Sequence, residues 1–275
     1  MGATQHTEMT LFDVPERAVP EGPLVRVRLT VAYDGTDFHG FAANPGVRTV
    51  AGTLAEAIER ILRHQIQIVC AGRTDKGVHA QGQVISFDAA QSRLDPVALV
   101  RALNMLCGPT IAVRDPLIVS PEFDARHSAR ARRYRYTVLN RPEPDPFLAR
   151  IAWQVKSPLE LSAMRLACDP LYGEHDFASF CRRPKGGGDG PPPSLVRRVI
   201  DARWHDLGDG RLRFDIAASS FCQQMVRSIV GTMIDVGSGK RRAGEVAAMI
   251  AAGDRSAAGQ IAPPHGLCLW EVDYG

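Results

Sequence analysis

IQIVCAGRTDKGVHAQGQVISFDA, residues 66 to 89, holds two strand-like strings around a charged interruption. IQIVCA (66–71) and GQVISFDA (82–89) are rich in β-branched residues, and the segment between them carries Arg73, Asp75, Lys76 and His79. Gly72 and Gly77 make that segment a turn, so the sequence predicts a strand connection or the mouth of a cleft. An Asp in a turn commonly caps its own backbone. The alternative is a carboxylate kept ionised by Arg73 and Lys76, fit to act as nucleophile or base. The residues alone do not choose between the two. Asp75 and His79 would align for a hydrolytic dyad only on a helix, which the glycines oppose. One sure carboxylate is too few for a divalent metal, and no phosphate-binding glycine loop occurs.

Outward from this segment the chain alternates strands and helices. LVRVRLTVAYDG (24–35) places Val25, Val27, Leu29 and Val31 on one face and Arg26, Arg28 and Thr30 on the other, a half-buried strand. TLAEAIERILRHQ (53–65) has helical apolar spacing, with Thr53 as expected N-cap and Glu56 completing a capping box. LDPVALVRALNMLCGP (94–109) reads as a helix capped by Asp95, with Pro96 at its first position. IAVRDPLIV (111–119) and RYRYTVLN (133–140) read as strands.

Proline-rich RPEPDPF (141–147) marks the expected boundary between an N-terminal half, 24–141, and a C-terminal half, 142–275. SPLELSAMRLACDPLYG (157–173) and SFCQQMVRSIVGTMIDVG (220–237) read as helices, the second with Phe221, Met225, Ile229 and Met233 along one face. RRPKGGGDGPPPS (182–194) reads as a mobile loop. VRRVIDARWH and RLRFDIAA form a hairpin across LGDG, EVAAMIAA is a last helix, and LCLWEVDYG (267–275) a last strand. This order predicts an α+β protein, with a largely antiparallel sheet and helices on its outer side.

Composition narrows the class. The chain has 275 residues, 45% apolar and 23% charged, as expected of a folded globular protein. No apolar run approaches the roughly 20 residues of a membrane span. Residues 1–23 lack a basic start followed by an apolar stretch, so they read as a flexible leader and the expected location is the cytoplasm. The six cysteines are scattered without CxxC spacing, which argues against zinc, and a chain this long does not need a disulfide scaffold. Arginine dominates the cations, 29 against 4 lysines. Genomic bias would produce the same excess, so local clustering carries more weight. HSARARRYRY (127–136), with Arg126 before it, holds Arg130, Arg132 and Arg133, interleaves Tyr134 and Tyr136, and contains no acid. Such a stretch supplies phosphate contacts and a stacking surface for nucleic acid.

YDGTDFHGF (33–41), GRTDKGVHA (72–80), FDARHSARARRYRY (123–136), HDFASF (175–180) and FCQQMVRSIVG (221–231) occur together and in this order. With these motifs the chain, from about residue 24 to 274, resembles the tRNA pseudouridine synthase family that modifies the anticodon stem-loop. The resemblance implies a fold of two similar α/β halves sharing a mostly antiparallel central sheet. It implies isomerisation of uridine in tRNA, in which the bond between base and ribose breaks and the base rejoins through carbon, without cofactor or essential metal. It also implies a homodimer whose basic cleft takes tRNA from both subunits.

Residue by residue, the resemblance makes Asp75 the catalytic aspartate, attacking the nucleoside or abstracting a ribose proton. Arg73 would hold phosphate or the flipped nucleotide, Tyr134 would stack, Arg227 would pair with Asp75, and Leu267 would line the base pocket. Lys76, His79, Arg126, Arg130, Arg132 and Arg133 are the expected RNA contacts. The chain departs from the family pattern at Phe41 and Ala42, where Trp and Gln are usual, at Gln223 and Gln224, where a basic residue is common before MVR, and at Lys76. Two other readings share these residues. One is a synthase acting on another RNA or nucleoside. The other is an inactive tRNA-binding protein, which would keep the arginines and Tyr134 without depending on Asp75.

Overall fold

The computed structural model describes residues 22–182 and 193–275. The leader at 1–23, apart from its last two residues, and the loop at 182–194, apart from its ends, therefore lie outside the described residues. Among the described residues ten strands make one sheet. They are β1 (Leu24–Tyr33), β2 (Val69–Cys70), β3 (His79–Ala90), β4 (Ile111–Val119), β5 (Ala131–Leu139), β6 (Trp153–Gln154), β7 (Gly173–Asp176), β8 (Val196–Asp206), β9 (Arg211–Ala218) and β10 (Leu267–Asp273). The main path runs β4-β1-β3-β10-β5-β9-β8-β7, with β2 paired to β3 and β6 to β5. Its pairings are antiparallel except β10 with β3 and β5 with β6. The protein is thus α+β with a mixed, mostly antiparallel central sheet and outer helices.

Alternation places the site. On β1, Val27, Leu29, Val31 and Tyr33 enter the core while Arg26 and Arg28 take the other face. Both arginines on that other face are engaged within the protein. Arg26 Nε donates to Asp88 across the strand pair at 2.6 Å, and Arg28 lies 4.7 Å from the Tyr274 ring centre. On β5, Arg132, Tyr134 and Tyr136 are buried, and Arg133 and Arg135 point the opposite way, half-exposed. β10 sits between the strand that follows Asp75 and the strand that bears Tyr134, with Leu269 beside both Ala80 and Tyr134.

Among the described residues five α-helices flank the sheet: α1 (Val50–Leu62), α2 (Pro96–Cys107), α3 (Leu161–Leu166), α4 (Met225–Gly237) and α5 (Glu245–Ala252). Asp95 caps α2, accepting from Val97 N and Ala98 N. α1 begins earlier than its sequence pattern predicts. Thr49, not Thr53, is the N-cap, its hydroxyl accepting from Gly52 N at 3.2 Å. Burial of Val50 and Ala51 repays a helical turn that Gly52 disfavours. α4 begins later than predicted. Gln224 is left-handed at φ 65°, so Phe221 lies outside the helix. The 157–173 region is helical only over α3 and a 3-10 turn at Asp169–Leu171. Pro170 has no N–H with which to continue an α-helix.

Candidate active site

The segment between β2 and β3 is held by hydrogen bonds at Ala71, Gly72, Thr74, Gly77 and Val78. Ala71 N donates to Val84 O at 2.9 Å. Gly72 is gripped on both sides by the Gln83 amide, which accepts from Gly72 N at 3.3 Å and donates to Gly72 O at 2.6 Å. The Thr74 hydroxyl meets Tyr33 OH at 2.7 Å, and Thr74 O accepts from Phe41 N at 3.1 Å. Gly40 makes that close approach possible. Its φ is +97°, and a Cβ there would lie 2.8 Å from Thr74 O. Val78 N donates to Asp75 O at 3.1 Å and closes the turn.

This scaffold aims Asp75 at α4. Arg227 Nη1 donates to Asp75 Oδ2 at 3.2 Å, and Arg227 Nε to Ala262 O at 2.8 Å. The Arg227 side chain is 14% exposed and that of Asp75 29%, so the pair joins a buried helix face to a cavity. An arginine so placed without partners would be costly. The cavity measures about 510 Å3 and is walled by Asp75, Lys76, Arg182, Gln223, Gln224 and Arg227. That volume lies within the roughly 300–1,000 Å3 of ligand sites. His265 closes one side; burial holds its imidazole below the ordinary histidine range.

Tyr134 stands beside this floor. It is 7% exposed, its hydroxyl lies over Gly72, and its ring meets Phe221 edge-on at 5.1 Å. Burial pushes its phenol well above the ordinary tyrosine range, with Arg132 opposing and Asp75 reinforcing the shift. The phenol therefore carries its proton at ordinary pH. Leu267 is buried across from Tyr136 in the β10–β5 ladder.

The remaining expected contacts separate into two groups. Arg73, Lys76, Arg126 and Arg130 are exposed. The Lys76 ammonium donates to His39 Nε2 at 3.1 Å, placing a second polar group at the rim. His79, Arg132 and Arg133 are turned elsewhere. His79 is 8% exposed, takes the Gly35 amide on Nδ1 at 3.0 Å and approaches Arg150 O and His265 O with Nε2. Arg132 is buried against backbone carbonyls. Arg133, on the far face of β5 from Tyr134, pairs with Asp201 at 3.3 Å.

Tyr33, His39, Gln83, Arg182 and His265 support or line the site without having been singled out from the sequence. Tyr33 and His39 lie within the motif YDGTDFHGF, and Gln83 stood out only as a polar residue inside an apolar strand. Phe41 and the two glutamines, noted as departures, behave differently from one another. Phe41 is core, 2% exposed, and offers no surface to a ligand, whereas Gln223 and Gln224 wall the cavity. Cys181 and Cys222 are paired as a disulfide, Cα to Cα 5.8 Å, although a chain of this length was expected to need no disulfide scaffold. Their separation of 41 positions hid the pairing from spacing arguments.

An acid–guanidinium pair lines a cavity rimmed by exposed Arg182 and Lys76, an arrangement suited to a polyanionic substrate. Comparison with known proteins makes the class specific. The family described as tRNA pseudouridine synthase matches residues 29–115 and 167–275. The chain is 40% identical to tRNA pseudouridine synthase A of Bacillus licheniformis over 252 residues, which is 91% of this chain and 99% of that one. It is 42% identical to the protein of the same name from Halalkalibacterium halodurans, covering 88% and 90% of the two chains. For the Myxococcus xanthus protein the identity is 37%, covering 90% and 92%. The chain belongs to the tRNA pseudouridine synthase family, and it is an isomerase that converts uridine in tRNA to pseudouridine.

Proposed function

We propose that this isomerase acts on uridines of the anticodon stem-loop, with Asp75 as its catalytic carboxylate. The observation that carries the reading is the Asp75–Arg227 pair at 3.2 Å on the wall of the cavity, with the Tyr134 hydroxyl packed over Gly72 of the turn that bears Asp75. A stem uridine must leave its stack, at a cost of a few kcal/mol, before any side chain reaches its sugar. Stacking on an aromatic ring returns about 1–3 kcal/mol per base, the role we give Tyr134. Arg227 fixes the carboxylate in place, so that it can attack the nucleoside or take a ribose proton. The reaction conserves the atoms of the nucleotide: the bond from base nitrogen to sugar breaks, a bond from a ring carbon forms, and the proton displaced from that carbon is returned to the base.

Leu267 belongs, on this reading, to the base pocket. The exposed Arg73, Lys76, Arg126 and Arg130 supply the phosphate contacts. His79, Arg132 and Arg133 act through the protein, since their polar atoms are engaged there. We further read the chain as two α/β halves meeting after residue 141, and as a homodimer whose arginine-bearing surfaces share one tRNA. Its location on this reading is the cytoplasm; no helix among the described residues is long and apolar enough to cross a membrane.

The test uses unmodified tRNA transcripts and pseudouridine mapping at single-nucleotide resolution, with wild type and Asp75→Asn. Expected is product in the anticodon stem-loop from wild type and none from a folded, tRNA-binding variant. Equal product from both removes Asp75 from the chemistry, and product only outside the stem-loop removes the substrate assignment.

A further inference from the structure

The guanidinium of Arg132 makes five hydrogen bonds to the protein backbone. Nε and Nη2 donate to Ala71 O at 3.2 and 3.0 Å, and Nη2 also to Arg126 O. Nη1 donates to Ala129 O at 3.1 Å and to Ser219 O at 2.7 Å. None of these partners is a carboxylate, and the residue is 7% exposed. Burial lowers its pKa, and the carbonyl oxygens stand where a counter-ion would.

The carbonyls come from three separate segments that surround the site. Ala71 opens the turn that carries Asp75. Arg126 and Ala129 form the base of the exposed arginine segment. Ser219 follows β9 and leads into Phe221, which meets the Tyr134 ring, and then into Arg227. Tyr134 itself is the next residue on the same face of β5. One side chain therefore fixes the Asp75 turn against the segment that delivers Arg227.

We propose that Arg132 is a positioning residue for the isomerisation, holding the Asp75 turn and the approach to α4 in register, and that it does not contact RNA. The proposal rests on the reading of Asp75 given above. A planar fork of five N–H donors can serve these carbonyls at once, and the three donors of a lysine cannot. Displacing a reacting group by even about 1 Å costs about 100-fold in rate. The position is decided by geometry rather than by charge alone.

Arg132→Lys and Arg132→Gln test it, with single-turnover pseudouridine formation at saturating tRNA, tRNA affinity across a salt series, and thermal melting. The rate falls by about tenfold or more in the lysine variant and further in the glutamine variant, while affinity and its salt slope stay at wild-type values. In the wild-type protein, phenylglyoxal followed by peptide mapping modifies Arg126 and Arg130 in a manner tRNA suppresses, and leaves Arg132 unmodified with or without tRNA. An unchanged rate in Arg132→Lys overturns the proposal. So does a salt slope lowered by about one, the sign of a lost phosphate contact, or an Arg132 as reactive as Arg126. A lysine variant without a cooperative melting transition makes Arg132 a folding residue and overturns it as well. If Asp75→Asn is inactive while Arg132→Lys is not, this inference alone fails. If Asp75→Asn is active, the underlying reading fails.

Discussion

Arg227 and Asp75 are 152 positions apart in the chain, yet Nη1 of one lies 3.2 Å from Oδ2 of the other. One partner rides on a turn between strands and the other on the most buried helix, so their meeting depends on how α4 docks. Arg227→Ala removes the counter-charge and leaves Ala262 O without its donor. We expect a loss of about 100-fold in single-turnover rate and a destabilisation of about 1 kcal/mol, the modest size fitting a partly solvated pair. Unchanged melting would show that the two side chains do not pair in solution.

Tyr134 separates ring from hydroxyl. Because its phenol stays protonated, the pH–rate profile below about pH 10 has no limb of its making. Tyr134→Phe should retain most of the turnover. Tyr134→Ala loses the stacking ring, about 1–3 kcal/mol of base contact, and opens a core cavity costing about 3–5 kcal/mol in stability. Comparable activity in the Phe and Ala variants would remove the ring from the reaction.

His265 makes stability sensitive to acid. Its folded-state pKa lies below the unfolded value because burial disfavours the charged ring. The unfolded chain therefore takes the proton first as pH falls. The contribution is complete above about pH 6.5 and is lost progressively as pH drops toward the folded value. Denaturant midpoints compared at about pH 7.5 and about pH 5.5 should differ less in His265→Gln than in wild type. An identical difference would assign the acid sensitivity to other groups.

Binding of tRNA should weaken steeply with salt, as counterions released from the phosphates recondense. Replacing Arg73, Arg126 or Arg130 by Ala lowers the slope of log affinity against log salt by about one each. A flat response in the wild type contradicts a phosphate-binding rim.

Thiol chemistry reports the cysteine environments. Burial pushes Cys70 and Cys268 up to about 11 and Cys168 up to about 12, so these react slowly in the native state. Denatured without reductant, the protein should titrate four thiols, Cys70, Cys107, Cys168 and Cys268. With reductant it should titrate six. Six in both conditions would show that Cys181 and Cys222 are not bonded.

Elements with local causes were legible in the sequence. Alternation at Val27, Leu29 and Val31 gave β1, and Asp95 before Pro96 gave the start of α2. The turn at Gly72–Gly77 located Asp75 because glycine chemistry is local. What escaped was set by distant partners. Thr53 looked like a cap because the burial that extends α1 back to Thr49 is tertiary. Phe221 fitted a helical face but turns toward Tyr134, on a strand far away in sequence. Arg132 and Arg133 are adjacent and chemically identical, and the pleat sends one into a nest of carbonyls and the other to Asp201. No count of arginines could have separated them.

β10 is the last strand in chain order and lies in the interior of the sheet, between β3 and β5. On the ribosome, everything before residue 267 emerges while both of those neighbours still present open edges. Such edges invite pairing with other chains, and long-range strand insertion is slow. Arrest of translation short of that strand would leave the nascent protein without the link that joins the strand after the Asp75 turn to the strand of Tyr134.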